Sequence, residues 1–269
     1  MRVWSSRSGC RTLRHADAFL AREKFASEPR EESKKVEVAG CRVHRERTPR
    51  AVSGSSLQVS GAVSGAVVNS AHPSAMITEV NQSIRPPAHG NRRAIIEALE
   101  AAHEAGQEYW AGYTTADFFA PMGGHWSAAE HVRHLTRSMS PLLPVLRVPR
   151  VALRLAFGAA TEPSRSYEQI EAMYERALAA GGTAGRFAPS PERPDGDSAR
   201  RDAIMDAHSE TLRGLTQAMD RWTEAQLDSH RLPHPLLGKL TVREMMLFSL
   251  LHNQHHVSVA ERRRAEAPV

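Results

Sequence analysis

Cysteine and long apolar runs are both scarce in this 269-residue chain. Its two cysteines, Cys10 and Cys41, cannot build a disulfide scaffold or a Cys-rich zinc module. That excludes a small secreted fold and leads us to expect a reducing cytoplasm. The longest uncharged, strongly apolar stretch, Met245 to Leu251, is seven residues long. A membrane-spanning helix needs roughly 20, so no membrane partner is expected. Nor does any segment alternate convincingly between apolar and polar residues, the mark of a half-buried strand.

A uniform charge is also missing. The formal net charge is +5, but residues 1–75 hold 13 basic and 7 acidic side chains, whereas residues 76–269 hold 22 basic and 23 acidic ones. The basic character therefore belongs to the first 75 residues, and the remainder carries no basic excess with which to bind nucleic acid. Those first residues open Arg/Ser/Glu-rich and continue into a small-residue run from Ser53 to Ser70, with no sustained apolar period. Their glutamates spoil the acid-poor pattern of a transit peptide, and no signal-peptide apolar region is present. The expectation is a disordered leader, or translation that begins at Met76, followed by a domain over residues 76–269.

From about Arg92 the pattern turns helical. Ile95, Leu99, Ala102, Gly106, Tyr109 and Tyr113 fall on one face of a first helix. Ser127 with Glu130 makes a capping box that opens a second, with Val132, Leu135, Met139, Leu142 and Leu146 as its stripe and a kink or early end at Pro141 and Pro144. Residues 165–180 predict a short extra helix and 181–196 a Gly/Pro-rich loop. A third long helix runs from about Ser198 to Trp222 with Ile204, His208, Thr211, Leu215, Ala218 and Trp222 on one face, and Leu232-Pro233-His234-Pro235 reads as a turn. Thr241 with Glu244 is a second capping box, opening a fourth helix to about Arg264. The fold class is all-α, an up-and-down four-helix bundle.

The chemistry-bearing residues are the 14 histidines. In the fourth helix His252 and His256 stand one turn apart, so both imidazoles reach one cation. Their face also holds Met245, Phe248 and Val259, so they point toward apolar surroundings. An i, i+4 pair by itself is weak, because a core histidine is more often satisfied by a hydrogen bond. A third ligand has to come from another helix. The second helix offers His131 or His134, and periodicity does not choose between them. His208 and His125 read as structural or exposed, and Glu130 and Glu244 as capping residues, which leaves no carboxylate to name as a general base.

These residues resemble the DinB-like superfamily of four-helix metal-binding proteins, in particular its YfiT-like branch of metal-dependent hydrolases. The resemblance covers roughly residues 90–265. It rests on Gly123-Gly124-His125-Trp126-Ser127 followed by Glu130 and His134-Leu135, on Trp222-Thr223-Glu224-Ala225-Gln226-Leu227, and on Leu240-Thr241-Val242-Arg243-Glu244 leading to His252 through His256. It implies a three-histidine metal site in which the first ligand, eight residues after the tryptophan, falls on His134, and the other two on His252 and His256.

Family members include S-transferases that use bacillithiol, mycothiol or glutathione and a mycothiol-dependent maleylpyruvate isomerase. The resemblance therefore implies a metal-dependent S-transferase or hydrolase of a small molecule, with a low-molecular-weight thiol as candidate co-substrate; a homodimer is a candidate assembly that the sequence leaves open. The alternative is a non-catalytic, stress-associated bundle in which the metal or the histidines are structural. Three neutral imidazoles leave a divalent cation its full charge and an open position. Zinc suits such a donor set best, with nickel, iron, manganese or cobalt also accepted. Residues 76–269 contain no cysteine, so any thiol has to arrive from outside.

Overall fold

The computed structural model describes residues 83–86 and 90–266. The leader expected over residues 1–75, and the start expected at Met76, lie outside the described residues. Four long helices dominate: α1 (Arg92–Ala111), α3 (Ala128–Met139), α7 (Ser198–Met219) and α9 (Val242–Glu266). Between them come the shorter α2 (Thr115–Phe119), α4 (Leu142–Arg147), α5 (Arg150–Phe157), α6 (Tyr167–Ala179) and α8 (Glu224–Ser229), a 3₁₀ turn at Gly185–Phe187, and the strands β1 (Arg231–His234) and β2 (Gly238–Thr241). Side-chain caps set most helix starts. The Asn91 side chain accepts from the Ala94 N–H, and Ser127 and Glu130 exchange the two bonds of a capping box.

The long helices form the expected bundle, and the residues assigned to their inner faces are buried. On α1 these are Ile95, Leu99, Ala102, Gly106 and Tyr109, and on α7 Ile204, His208, Thr211, Leu215 and Ala218. The order around the bundle departs from a simple up-and-down arrangement. Both α1 and α3 pack chiefly against α7 and α9, which places these two consecutive helices diagonally. Short links force consecutive helices to be neighbours. Here the chain from α1 to α3 includes α2, and the chain from α7 to α9 includes α8 and a hairpin, so each link is long enough to cross the end of the bundle.

Several local expectations are corrected. The second helix ends at Met139, and its last two stripe residues, Leu142 and Leu146, lie on α4, which starts beyond Pro141. The third helix stops at Met219, short of Trp222. The segment read as a turn at Leu232–Pro235 is mostly strand: β1 pairs antiparallel with β2, from Arg231 opposite Thr241 to His234 opposite Gly238. Four-residue strands, one containing Pro233, are too short to show a period of two. Gly238 takes a φ of 73°, a left-handed conformation that glycine adopts at little cost, and so closes the turn. No helix among the described residues is long and apolar enough to cross a membrane.

Helix α9 is buried on nearly every side, which places its polar residues inside the bundle. Its start is held by Glu244, which is only 1% exposed. One carboxylate oxygen accepts from the Thr241 N–H at 2.8 Å, and the other from the Arg165 N–H and Nε at 2.8 and 2.7 Å. Burial alone would raise the Glu244 pKa, but these hydrogen bonds outweigh it and hold the carboxyl below its ordinary value. Trp222 lies near the same start of α9: its ring packs 5.5 Å from His230, whose carbonyl accepts from the Val242 N–H. Trp222 is fully buried, donates from Nε1 to the Leu146 carbonyl at 3.2 Å, and carries the Arg150 guanidinium 4.1 Å above its ring.

Two outcomes follow from this packing. Trp222→Ala is expected to cost about 3–5 kcal/mol, read as a large fall in thermal midpoint. A depressed folded-state pKa contributes stability above the ordinary carboxylate value, and that contribution is lost as pH falls through the folded value. The thermal midpoint should therefore fall as pH drops from about 5 to about 3, and Glu244→Gln should be less stable at neutral pH with a flatter profile across that window.

Candidate metal centre

The capping box at Ser127 sets the register of α3, so that His131, Val132, His134 and Leu135 all turn inward. Across the bundle, α9 brings His252 and His256 to the same point, one helical turn apart. His134, His252 and His256 are all buried, and the ligand atoms they offer lie within 4.8 Å of one another. His134 Nε2 is 3.1 Å from His252 Nε2, which is in turn 3.0 Å from His256 Nε2.

The hydrogen bonds behind the rings fix which nitrogens face the centre. His134 Nδ1 is 3.0 Å from the Phe187 carbonyl, and since a carbonyl only accepts, the His134 proton is on Nδ1 and its Nε2 presents a lone pair. His252 Nδ1 has the Ser138 hydroxyl at 3.4 Å. His256 Nδ1 lies 2.8 Å from His131 Nδ1. Each ring of the trio is thus held from behind through Nδ1, the support that metal-bound imidazoles ordinarily have.

The donor set suits a cation and is poorly satisfied by protons. Burial pushes the pKa of His134 down, and those of His252 and His256 well down, so all three rings are neutral. With His134 Nε2 already a lone pair, a proton on His252 Nε2 would have to serve two close nitrogen contacts at once. A cation accepts a lone pair from each ring instead. Two nitrogens 2.0–2.1 Å from a tetrahedral zinc would stand about 3.3 Å apart, close to the separations found. The three histidines therefore fit a divalent metal ion.

His131 has a different place from His134. If His256 Nε2 faces the centre, the His256 proton sits on Nδ1 and is donated to His131 Nδ1. The His131 proton then lies on Nε2, a buried atom with no hydrogen-bond partner among the described residues. Its ring stacks on Trp110 at 6.1 Å. Burial lowers the His131 pKa to about 3, so it remains a neutral acceptor behind His256. Trp126, from the Gly-Gly-His-Trp segment, packs its ring 5.1 Å from His134 and 6.1 Å from His256. His125 is exposed. His208 is buried and structural, with Nε2 3.0 Å from Asn253 Oδ1, so it ties α7 to α9.

The trio opens on a cavity of about 210 Å³ whose wall includes Trp126, Leu142, Val145, Tyr174, Leu178 and Phe248. His234 and His255 also line it, and among the described residues Arg186 is the one charged side chain there. Sequence reasoning gave no role to His234, which it placed in a turn, nor to the loop at Gly185–Phe187. A backbone carbonyl as the partner of His134 leaves no signature in residue type.

A helical bundle with three convergent imidazoles at the base of an apolar cavity defines a class of bundle proteins whose donor set could hold a metal ion. Residues 98–260 match the family model of the DinB superfamily, and the chain belongs to that superfamily. No curated protein and no solved structure matches it.

The position of His131 can be checked separately from that of the trio. His131→Phe keeps a ring against Trp110 and removes the acceptor behind His256. Bound metal should remain near its wild-type stoichiometry, while the dissociation constant rises about 10- to 100-fold in competition with a chelator.

Proposed function

We propose that this protein is a metal-dependent enzyme of the YfiT-like kind, with His134, His252 and His256 as ligands of one divalent cation, most readily zinc. The observation that carries the reading is the convergence of three lone pairs, each ring supported through Nδ1, where an apolar cavity begins. A structural site closes its metal with a fourth protein ligand. Among the described residues no fourth histidine, cysteine, aspartate or glutamate joins the group, and this supports an open, catalytic arrangement over a structural one.

A divalent cation held there supplies Lewis acidity, which favours the ionised form of a thiol or a water. The remaining work falls to the chain. The apolar wall excludes water and surrounds a small molecule, and Trp126 holds the faces of His134 and His256. Among the described residues no aspartate or glutamate lines the cavity, so the chain places no carboxylate there to take a proton from water. Transfer of a thiol that has already ionised needs no such base. That difference favours a thiol-dependent S-transferase over a hydrolase, with an external low-molecular-weight thiol as one substrate and a small electrophile as the other.

Elemental analysis of protein purified without chelator tests the site, and the expected content is about one divalent metal per chain. His134→Ala, His252→Ala or His256→Ala should each remove most of it, whereas His255→Ala should leave it nearly unchanged. The folded bundle should survive each change, because an open site contributes less to folding than a closed one. Assays with bacillithiol, mycothiol and glutathione against small electrophiles then test the transfer. Loss of metal in His131→Ala with full content in His134→Ala would transfer the ligand role to His131.

A further inference from the structure

His234, at the end of β1, is one of the polar groups of the cavity wall, with Arg186 and His255, that the reading above leaves unused. Its Nδ1 accepts from two backbone donors of the hairpin turn, the Leu236 N–H at 3.2 Å and the Leu237 N–H at 3.1 Å. Both donors need the Nδ1 lone pair, so the ring proton is confined to Nε2. Burial lowers the His234 pKa to about 4, which keeps the ring uncharged at neutral pH. Among the described residues nothing accepts from Nε2, although the ring lines the cavity. Its position is fixed as well. The His234 ring meets the edge of Phe248 at 4.2 Å, and Phe248 stacks on His252 at 5.1 Å.

The surroundings make this donor selective. Leu142, Val145, Leu178, Leu232 and Pro235 give the wall an apolar surface. A fixed N–H in such a wall loses its water when a ligand enters and, left unpaired, keeps its full desolvation penalty. A site of this kind discriminates strongly against an analogue that lacks the matching acceptor.

We propose that His234 is a specificity-determining residue: its Nε2–H donates to an acceptor oxygen on a small, otherwise apolar molecule that lies in the cavity with its other end at the three-histidine cluster. The proposal rests on the reading of this cavity as the substrate site. The substrate class it defines is a compact apolar molecule bearing a carbonyl or carboxylate oxygen remote from the reacting atom.

The test uses alkyl hydroxamates, whose head group chelates a metal, with spacers of one to four methylenes. Each is made with a terminal methyl ketone or with the isosteric isopropenyl group, and binding is read from the visible spectrum of the Co(II)-loaded full chain. At one spacer length the ketone should bind the wild type about 10-fold more tightly than its partner, the share of a single hydrogen bond. His234→Asn keeps an oxygen to accept from Leu236 and Leu237 but lacks Nε2. It should abolish the preference while leaving affinity for the isopropenyl probe within about 2-fold.

His234→Gln, which places an amide donor near the lost Nε2, should restore part of the preference. A wild type with no ketone preference at any length, or a preference that survives His234→Asn, would overturn the proposal. Failure to take up Co(II), or a spectrum unmoved by every hydroxamate, counts against the metal reading instead. The same probe pairs are then compared by their shifts in the thermal midpoint of the protein as purified. A ketone preference lost in His234→Asn supports the donor role, and equal shifts overturn it.

Discussion

A nitrogen lone pair taken out of water has to meet a proton or a cation, and the centre of this bundle gathers three of them. His134, His252 and His256 are neutral because burial forbids their charge. Behind each ring Nδ1 meets a partner: the Phe187 carbonyl for His134, the Ser138 hydroxyl for His252 and the His131 ring for His256. Much of the surrounding structure serves this requirement. Helix α9 is buried almost all round, so its polar side chains must find partners within the protein, and Asn253 does so through His208 and the Ser249 carbonyl.

The topology meets the same demand. Because α1 and α3 stand diagonally, α9 lies between them and is covered on both flanks, while α6 packs along it from outside. The cavity forms where α3, α4, α6 and the hairpin leave space beside α9, and the charged wall residue Arg186 comes from the loop that precedes α7. Trp222, fully buried, donates to the Leu146 carbonyl on α4, the helix whose Leu142 and Val145 line the cavity, so core packing and cavity wall share that helix.

What the amino-acid sequence disclosed depended on the range of the interaction. Capping boxes at Ser127 and Thr241 are contacts over three residues, so the starts of α3 and α9 were legible. The His252 and His256 pair is a one-turn relation and was equally plain. Choosing His134 over His131 required a family resemblance, because both face inward and only their partners on α9 separate them. The contact between His131 and His256 spans 125 positions and has no local sign. The short helices and the hairpin were hidden for another reason: a strand of four residues with a proline in it has no room to display a period.

The Phe187 carbonyl joins two parts of the protein that sequence keeps apart. One short turn both walls the cavity and fixes the proton of His134. The residue that borders the pocket is therefore also the one that orients the ring of His134, so cavity wall and donor nitrogen rest on the same support.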